Sequence, residues 1–217
     1  MFTDIIEIII LSIVQGISEF LPISSSAHLN IVEIIFKFNS NSLMIDVGLH
    51  LGSLLAIIFY FREELLNLKN NQKLLLLMII GSIPIMIVGY ILYSTGLINL
   101  LGNNLKIIAW ATLIFGIILY FADKNRFDKK ISSNLNFKTI LYIGLFQILA
   151  LIPGVSRAGI TITAGRIFRF NRVDASKISF LLAIPAIAGA SVLQLKDIIG
   201  QSSEVNYLIL ISITLSF

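Results

Sequence analysis

Residues 15–31 read QGISEFLPISSSAHLNI, and the fold turns on how that stretch is taken. It follows an apolar run that extends over Ile5–Leu21, yet it carries Glu19, Pro22, Ser24, Ser25, Ser26 and His28. Pro22 has no amide hydrogen and disfavours helix in the residue before it, so the run breaks here. Broken backbone at membrane depth is tolerated only where it is buried in protein or lines a wet cavity. The stretch therefore predicts a hairpin tip held inside a membrane, not a spoiled spanning helix.

The composition agrees. The 217 residues are 57% hydrophobic and 13% charged, where a soluble domain is about a quarter charged. Apolar runs close to the ~20 residues a spanning helix needs recur along the whole chain. The expected fold is an all-α polytopic membrane protein; a β-barrel would show short alternating segments instead. Met1-Phe2-Thr3-Asp4 offers neither a basic region nor a small-residue cleavage site, so the first run reads as mature protein rather than signal peptide. The absence of cysteine excludes disulfides and thiolate metal sites. A net charge of +4 reflects loop bias more than nucleic-acid binding.

Four runs have the length of ordinary spans: 43–61, 74–93, 105–121 and 178–195. Two pairs are shorter and interrupted: 5–21 with 27–38, and 140–152 with 159–168. A last run covers 207–217. Loop charges orient them. Arg62, Lys69 and Lys73; Lys124, Arg126, Lys129, Lys130 and Lys138; and Arg166, Arg169, Arg172 and Lys177 form three basic loops, which the positive-inside rule places in the cytoplasm. The segments 94–106 and 196–206 hold only Lys106 and Lys196. The second interrupted pair must then enter and leave by one face, as a re-entrant hairpin with PGVSRAG near its tip. The first pair is most simply read as a second hairpin from the opposite side; the alternative is a full crossing by 5–21, which would put the N-terminus inside. Each hairpin has a glutamine (Gln15, Gln147), a proline six or seven residues on (Pro22, Pro153), then polar residues. Such matched interruptions point to an inverted repeat with its site near the midplane. The expected organisation is one membrane domain over 1–217, with repeat one about 1–93 and repeat two about 105–217.

The polar residues suggest chemistry. A carboxylate near the bilayer centre costs about 2.5–3.5 kcal/mol on insertion scales, so Glu19 is read as functional, with Gln15 on the same helical face. A serine after Pro22 is a good N-cap, and the helix it opens presents unsatisfied N–H groups to an anion. Ser25 and His28, three apart, share a face there, the pattern of a nucleophile and its base. In the second knot, Arg157 brings a planar fork suited to phosphate oxygens. Gly154 allows close backbone approach, and Ser156 can cap the next half-helix. A structural Arg157–Glu19 pair without a ligand is the competing reading, but two such knots facing each other are more economically a phosphate site. His50 is read as a packing histidine and Asp46 as an interfacial residue.

QGISEFLPISSSAH and PGVSRAGITIT resemble the two signatures of the undecaprenyl-diphosphatase family, the bacitracin-resistance type of bacterial membrane phosphatase. GLHLGSLLAIIFYFREEL (48–65) and SFLLAIPAIAGA (179–190) extend the resemblance over essentially the whole chain. The resemblance implies hydrolysis of undecaprenyl diphosphate to undecaprenyl phosphate in the bacterial cytoplasmic membrane, recycling the carrier for cell-wall synthesis. It also implies inverted repeats with two re-entrant hairpins. The family's acidic motif falls on Gln15 and Glu19, its catalytic serine on Ser25 beside Ser24, and its histidine on His28. Its phosphate-binding residues fall on Ser156, Arg157 and Thr161. Gln15 stands where some members have a glutamate, and Ala158 where a serine is common. Members usually run past Phe217, so a further C-terminal segment is expected.

The resulting expectation is a phosphatase in which Ser25 attacks, His28 is the base, and Glu19 orients His28 or holds a divalent cation (Mg²⁺ or Ca²⁺) with Gln15. Arg157, Ser156, Thr161, Ser24 and Gly154 would bind phosphate. The expected partners are a polyprenyl diphosphate and membrane lipid, with a homodimer allowed and no nucleic acid. The alternative is a transporter or flippase for an anionic polyprenyl lipid, since inverted repeats with midplane sites also build transporters.

Overall fold

The computed structural model describes residues 2–38, 42–67, 71–97, 104–198 and 203–217. Lys69 and the segments 98–103 and 199–202 lie outside them. The described residues form helices α1 (Phe2–Ser18), α2 (Ser25–Phe36), α3 (Ser42–Tyr60), α4 (Arg62–Leu66), α5 (Gln72–Ser94) and α6 (Leu105–Asp123). These are followed by α7 (Ile131–Asn134), α8 (Phe137–Gln147) with a 3₁₀ turn at Ile148–Leu151, α9 (Arg157–Ile167), α10 (Arg172–Ile198) and α11 (Ser203–Ser216). Among these residues the only strand-like pairing is an isolated bridge between Lys129 and Phe170. The fold is all-helical, as expected.

The four expected spans correspond to α3, α5, α6 and α10. The last three are long and apolar enough to cross a bilayer. α10 starts earlier than its apolar run because Asn171 caps it. The Asn171 side chain accepts from the Asp174 amide at 2.9 Å and donates to the Asp174 carboxylate at 2.6 Å, so orphan N–H groups at the helix start are satisfied. The interrupted pairs become helix–turn–helix units. α2 has 12 residues, and α8 and α9 have 11 each. At 1.5 Å per residue each spans about 17–18 Å, short of a ~30 Å hydrocarbon core.

Small residues let the helices approach closely, as in membrane bundles generally. Gly48 and Gly52 on α3 face α11, where a Cβ on Gly48 would fall 2.6 Å from Ser212 Cβ. Gly144 of α8 likewise lies against the backbone of Gly81 in α5. One apolar core joins α5, α8, α9 and α10 through Leu77, Ile140, Ile143, Ala164, Ile178 and Leu182. A second joins α3, α5 and α10 through Leu54, Ile57, Met78, Leu181 and Ile187. α1, α2 and α3 meet at Ile8, Leu11, Leu29, Ile45 and Leu49.

Arg166 is a buried cation at the far end of α9 from Arg157. Its guanidinium reaches Asp123 at 2.7 Å, donates to the Phe170 carbonyl at 2.6 Å and to the Asn125 carbonyl, and lies over the Phe127 ring. Arg172 also pairs with Asp123, at 2.7 Å. Part of the basic cluster 166–177 is therefore an internal clamp joining α6, α9 and α10. Lys177 donates to Glu64 at 2.8 Å, which holds that carboxyl below its ordinary range.

Candidate active site

The two proline turns meet. Glu19 lies one residue beyond α1, still in helical register, with its amide on the Gln15 carbonyl at 2.9 Å. Its carboxylate is buried and is the hub of the site. Oε1 accepts from Arg157 Nη2 at 2.9 Å, and Oε2 accepts from Ser25 Oγ at 2.8 Å and from Gln15 Nε2 at 3.1 Å. The residues expected from the first knot and the arginine of the second are thus joined across 138 positions of chain.

Local backbone sets this up. The amide of Ile23 turns back to the Leu21 carbonyl at 2.8 Å. Ser24 follows with φ 63°, in the left-handed region. A non-glycine residue held there costs about 1–3 kcal/mol, and such strain clusters at functional sites. Ser24 makes no side-chain cap bond, so its hydroxyl leaves the first N–H groups of α2 uncapped. On the other side, Gly154 adopts φ 91°, and a Cβ there would lie 2.7 Å from Ile108 Cα. Only glycine brings the second turn this close to α6. Ser156 caps α9, accepting from the Gly159 amide at 3.0 Å, and its hydroxyl reaches the Leu21 carbonyl at 3.4 Å.

Between the turns lies a cavity of about 220 Å³, room for about seven waters at ~30 Å³ each. Glu19, Ser24, Ser25, Ser26, Ser156 and Arg157 form its polar wall. Of the five N–H donors of Arg157, one engages Glu19 and one the Ser179 carbonyl at 3.3 Å, leaving others for a ligand. An anion here meets a guanidinium, serine hydroxyls and the starts of α2 and α9. Ile85, Ala186 and Ala190 line this cavity and also a second, apolar groove of about 760 Å³ between α5 and α10. Met86, Gly89, Tyr90, Gly189 and Leu193 continue that groove.

Thr161 and Gly154 stand behind the cavity. Thr161 is fully buried; its hydroxyl donates to the Arg157 carbonyl at 2.8 Å and lies 2.7 Å from the Ser179 hydroxyl, bracing the turn that carries Arg157. The Gly154 carbonyl accepts from Thr112 at 2.9 Å. His28 turns its Nδ1 onto the Ser24 carbonyl, 2.7 Å away, and is not among the cavity-lining residues. Ser25 meets Glu19 rather than His28. Conversely, His50 lines the cavity, with Nε2 3.9 Å from Glu19 Oε2. Two cavity or support residues do not stand out in the sequence. His50 has the neighbours of a packing histidine, and its signal is its place one turn past Asp46 on a helix that also carries glycines. Ser179 was seen only within an apolar run, where a lone hydroxyl on a buried face is the signal.

Without substrate, the described residues form no cage for a divalent cation. Both oxygens of Glu19 are engaged by donors, and the Arg157 charge sits 2.9 Å away. Gln15 Oε1 is buried without a partner, but one amide oxygen falls short of the oxygen set of a Ca²⁺ cage, and a Mg²⁺ would need a carboxylate with waters and substrate phosphates to complete its shell. Among the described residues no three His, Asp or Glu gather with metal-holding geometry.

Fold and site together define a helical membrane protein with a buried carboxylate–guanidinium–serine centre facing an apolar groove. Residues 8–217 match the family model described as bacitracin resistance protein BacA. The chain is 86% identical over 217 residues to the undecaprenyl-diphosphatase of Pelagibacter ubique (strain HTCC1062), covering all of this chain and 85% of that protein. It is 40% identical over 214 residues to the undecaprenyl-diphosphatase of Alteromonas mediterranea, covering 93% of this chain and 80% of that one. With that of Elusimicrobium minutum it is 42% identical over 202 residues, covering 89% and 77%. The chain belongs to the BacA family.

Proposed function

We propose that this chain hydrolyses undecaprenyl diphosphate to undecaprenyl phosphate and inorganic phosphate, returning the lipid carrier to cell-wall synthesis. The observation that carries the reading is the Glu19 hub, which receives Ser25 Oγ at 2.8 Å and Arg157 Nη2 at 2.9 Å beside a phosphate-sized cavity. The likeness to curated undecaprenyl-diphosphatases supports the substrate, as does an apolar groove continuous with the cavity, fit for a prenyl tail.

In this reading the terminal phosphate lies against Arg157, Ser156 and the starts of α2 and α9, whose donors stabilise charge that develops on its oxygens. Glu19 takes the proton of Ser25, and Oγ attacks the terminal phosphorus. The bridging P–O bond breaks, its electron pair leaving with undecaprenyl phosphate. Water then hydrolyses the phosphoserine. Arg157 and Gln15 keep Glu19 oriented, and His28, bound to the Ser24 carbonyl, holds the strained turn that presents Ser25.

The units α1–α2 and α8–α9 are re-entrant hairpins of an inverted repeat in the bacterial cytoplasmic membrane. Their short helices and the basic loops at 62–73, 124–138 and 166–177 support that placement.

The test is phosphate release from detergent-solubilised protein, with no membrane gradient. Release that falls at least about 10³-fold in Ser25→Ala is expected, since removing a nucleophile abolishes the covalent route. Near-normal turnover in Ser25→Ala would rule out the serine, and a parent protein that binds the lipid without releasing phosphate would favour transport.

A further inference from the structure

His50 lines the same cavity. On α3 its Nδ1 lies 2.8 Å from the carbonyl oxygen of Asp46, one turn back. A carbonyl only accepts, so Nδ1 carries the hydrogen and the neutral ring presents the Nε2 lone pair. That nitrogen faces the cavity, 3.9 Å from Glu19 Oε2, with the side chain 31% exposed. The gap exceeds a hydrogen bond. Gly48 and Gly52, two residues either side of His50, lie on the opposite face of α3, where α11 seats against them. The ring is therefore tethered to its own helix and aimed by a helix fixed from behind.

The two-step reaction proposed above, on which this inference rests, needs two proton acceptors. Glu19 takes the Ser25 proton in the first step and returns it to Oγ in the second. It cannot also take the proton of the attacking water at that moment. The remaining cavity-lining residues are serines, Arg157 and apolar side chains, apart from His50. Serine and arginine are not bases at neutral pH.

We infer that His50 Nε2 is the base that activates the water hydrolysing the phosphoserine. Water oxygen forms a bond to phosphorus as the phosphorus–Oγ bond breaks, and that electron pair stays on Oγ, which takes the proton held by Glu19. The water proton passes to Nε2. The imidazolium so formed faces a Glu19 that has just regained its negative charge, and the departing phosphate carries the proton away.

The experiment uses a prenyl diphosphate labelled with ³²P on its terminal phosphate, with acid quench and rapid mixing. The variants are His50→Ala and His50→Gln; the second keeps bulk and polarity but accepts no proton. Each is compared with the parent only where its thermal midpoint matches. The expected result is a steady-state phosphate release lower by about 10²-fold or more, the usual worth of a general base. The first turnover of prenyl phosphate is retained, and label accumulates on Ser25. A structural defect would lower the first turnover as well. The assignment is overturned if His50→Gln stays within a few-fold of the parent, or if both phases fall together with no label on the protein. If the parent itself releases no phosphate, the phosphatase reading falls and this inference with it. If the parent turns over and His50→Gln matches it, only the role of His50 is lost.

Discussion

Replacing Arg157 by Met removes one partner of a buried pair and leaves the other. The Glu19 side chain is 6% exposed, so its charge has little recourse to water. Breaking such a pair costs about 3–5 kcal/mol. Here Ser25 and Gln15 go on donating to Oε2, at 2.8 and 3.1 Å. The loss therefore belongs at the low end, about 3 kcal/mol. The double variant Arg157→Met/Glu19→Gln leaves no unpaired charge, and its amide still accepts from Ser25. It is expected to recover about 2 kcal/mol of the loss, because most of the single-variant cost is the stranded carboxylate. Reversible unfolding in sodium dodecyl sulfate, followed by circular dichroism, measures all four corners of the cycle. Phosphate release is expected to fall at least about 10²-fold in all three variants, since each weakens the charge arrangement around the phosphoryl group. Stability losses that simply add, with the double variant as unstable as the two singles combined, would mean that the hairpin tips do not meet through this pair.

Two more outcomes follow from the same geometry. Gly154→Ala forces a Cβ toward Ile108 at a backbone φ of 91°, so it should push the second turn off α6 and lower phosphate release about tenfold or more while costing about 1–3 kcal/mol; a variant indistinguishable from the parent in turnover and SDS unfolding would contradict the turn geometry. Gly189→Phe fills the groove between α5 and α10, where an added Cβ would stand 3.6 Å from Met86 Cε. It should raise KM for undecaprenyl diphosphate about tenfold and leave a short prenyl diphosphate nearly unchanged, and equal effects on both would remove the groove from tail binding.

The helix boundaries were legible because prolines, glycines and serines interrupt apolar runs of fixed length. The Gln15–Glu19 bond was legible too, being an i, i+4 pair on one helix. Arg157 was legible as a group too costly to leave facing lipid. Which way the side chains turn at the tip was not legible. Ser25 and His28 have the right spacing for a pair, yet the left-handed Ser24 rotates the start of α2 so that Ser25 faces back to Glu19 while His28 folds onto a carbonyl. His50 was obscured for a related reason. Its sequence neighbours are apolar and glycine, and only the seating of α11 against Gly48 and Gly52 decides that the other face of α3 looks into the cavity. Helical spacing says which residues share a face; the close approach of a neighbouring helix says where that face points.

The buried Arg166 bears on how the protein is made. Its guanidinium is satisfied by Asp123, the Asn125 carbonyl and the Phe170 carbonyl, which come from two places in the chain: the end of α6 with the turn after it, and the segment leading into α10. Until both are in place, α9 carries an unpaired cation whose burial costs several kcal/mol. The second hairpin therefore cannot settle alone during synthesis. It settles together with the turn after α6 and the segment leading into α10, which supply the partners of Arg166.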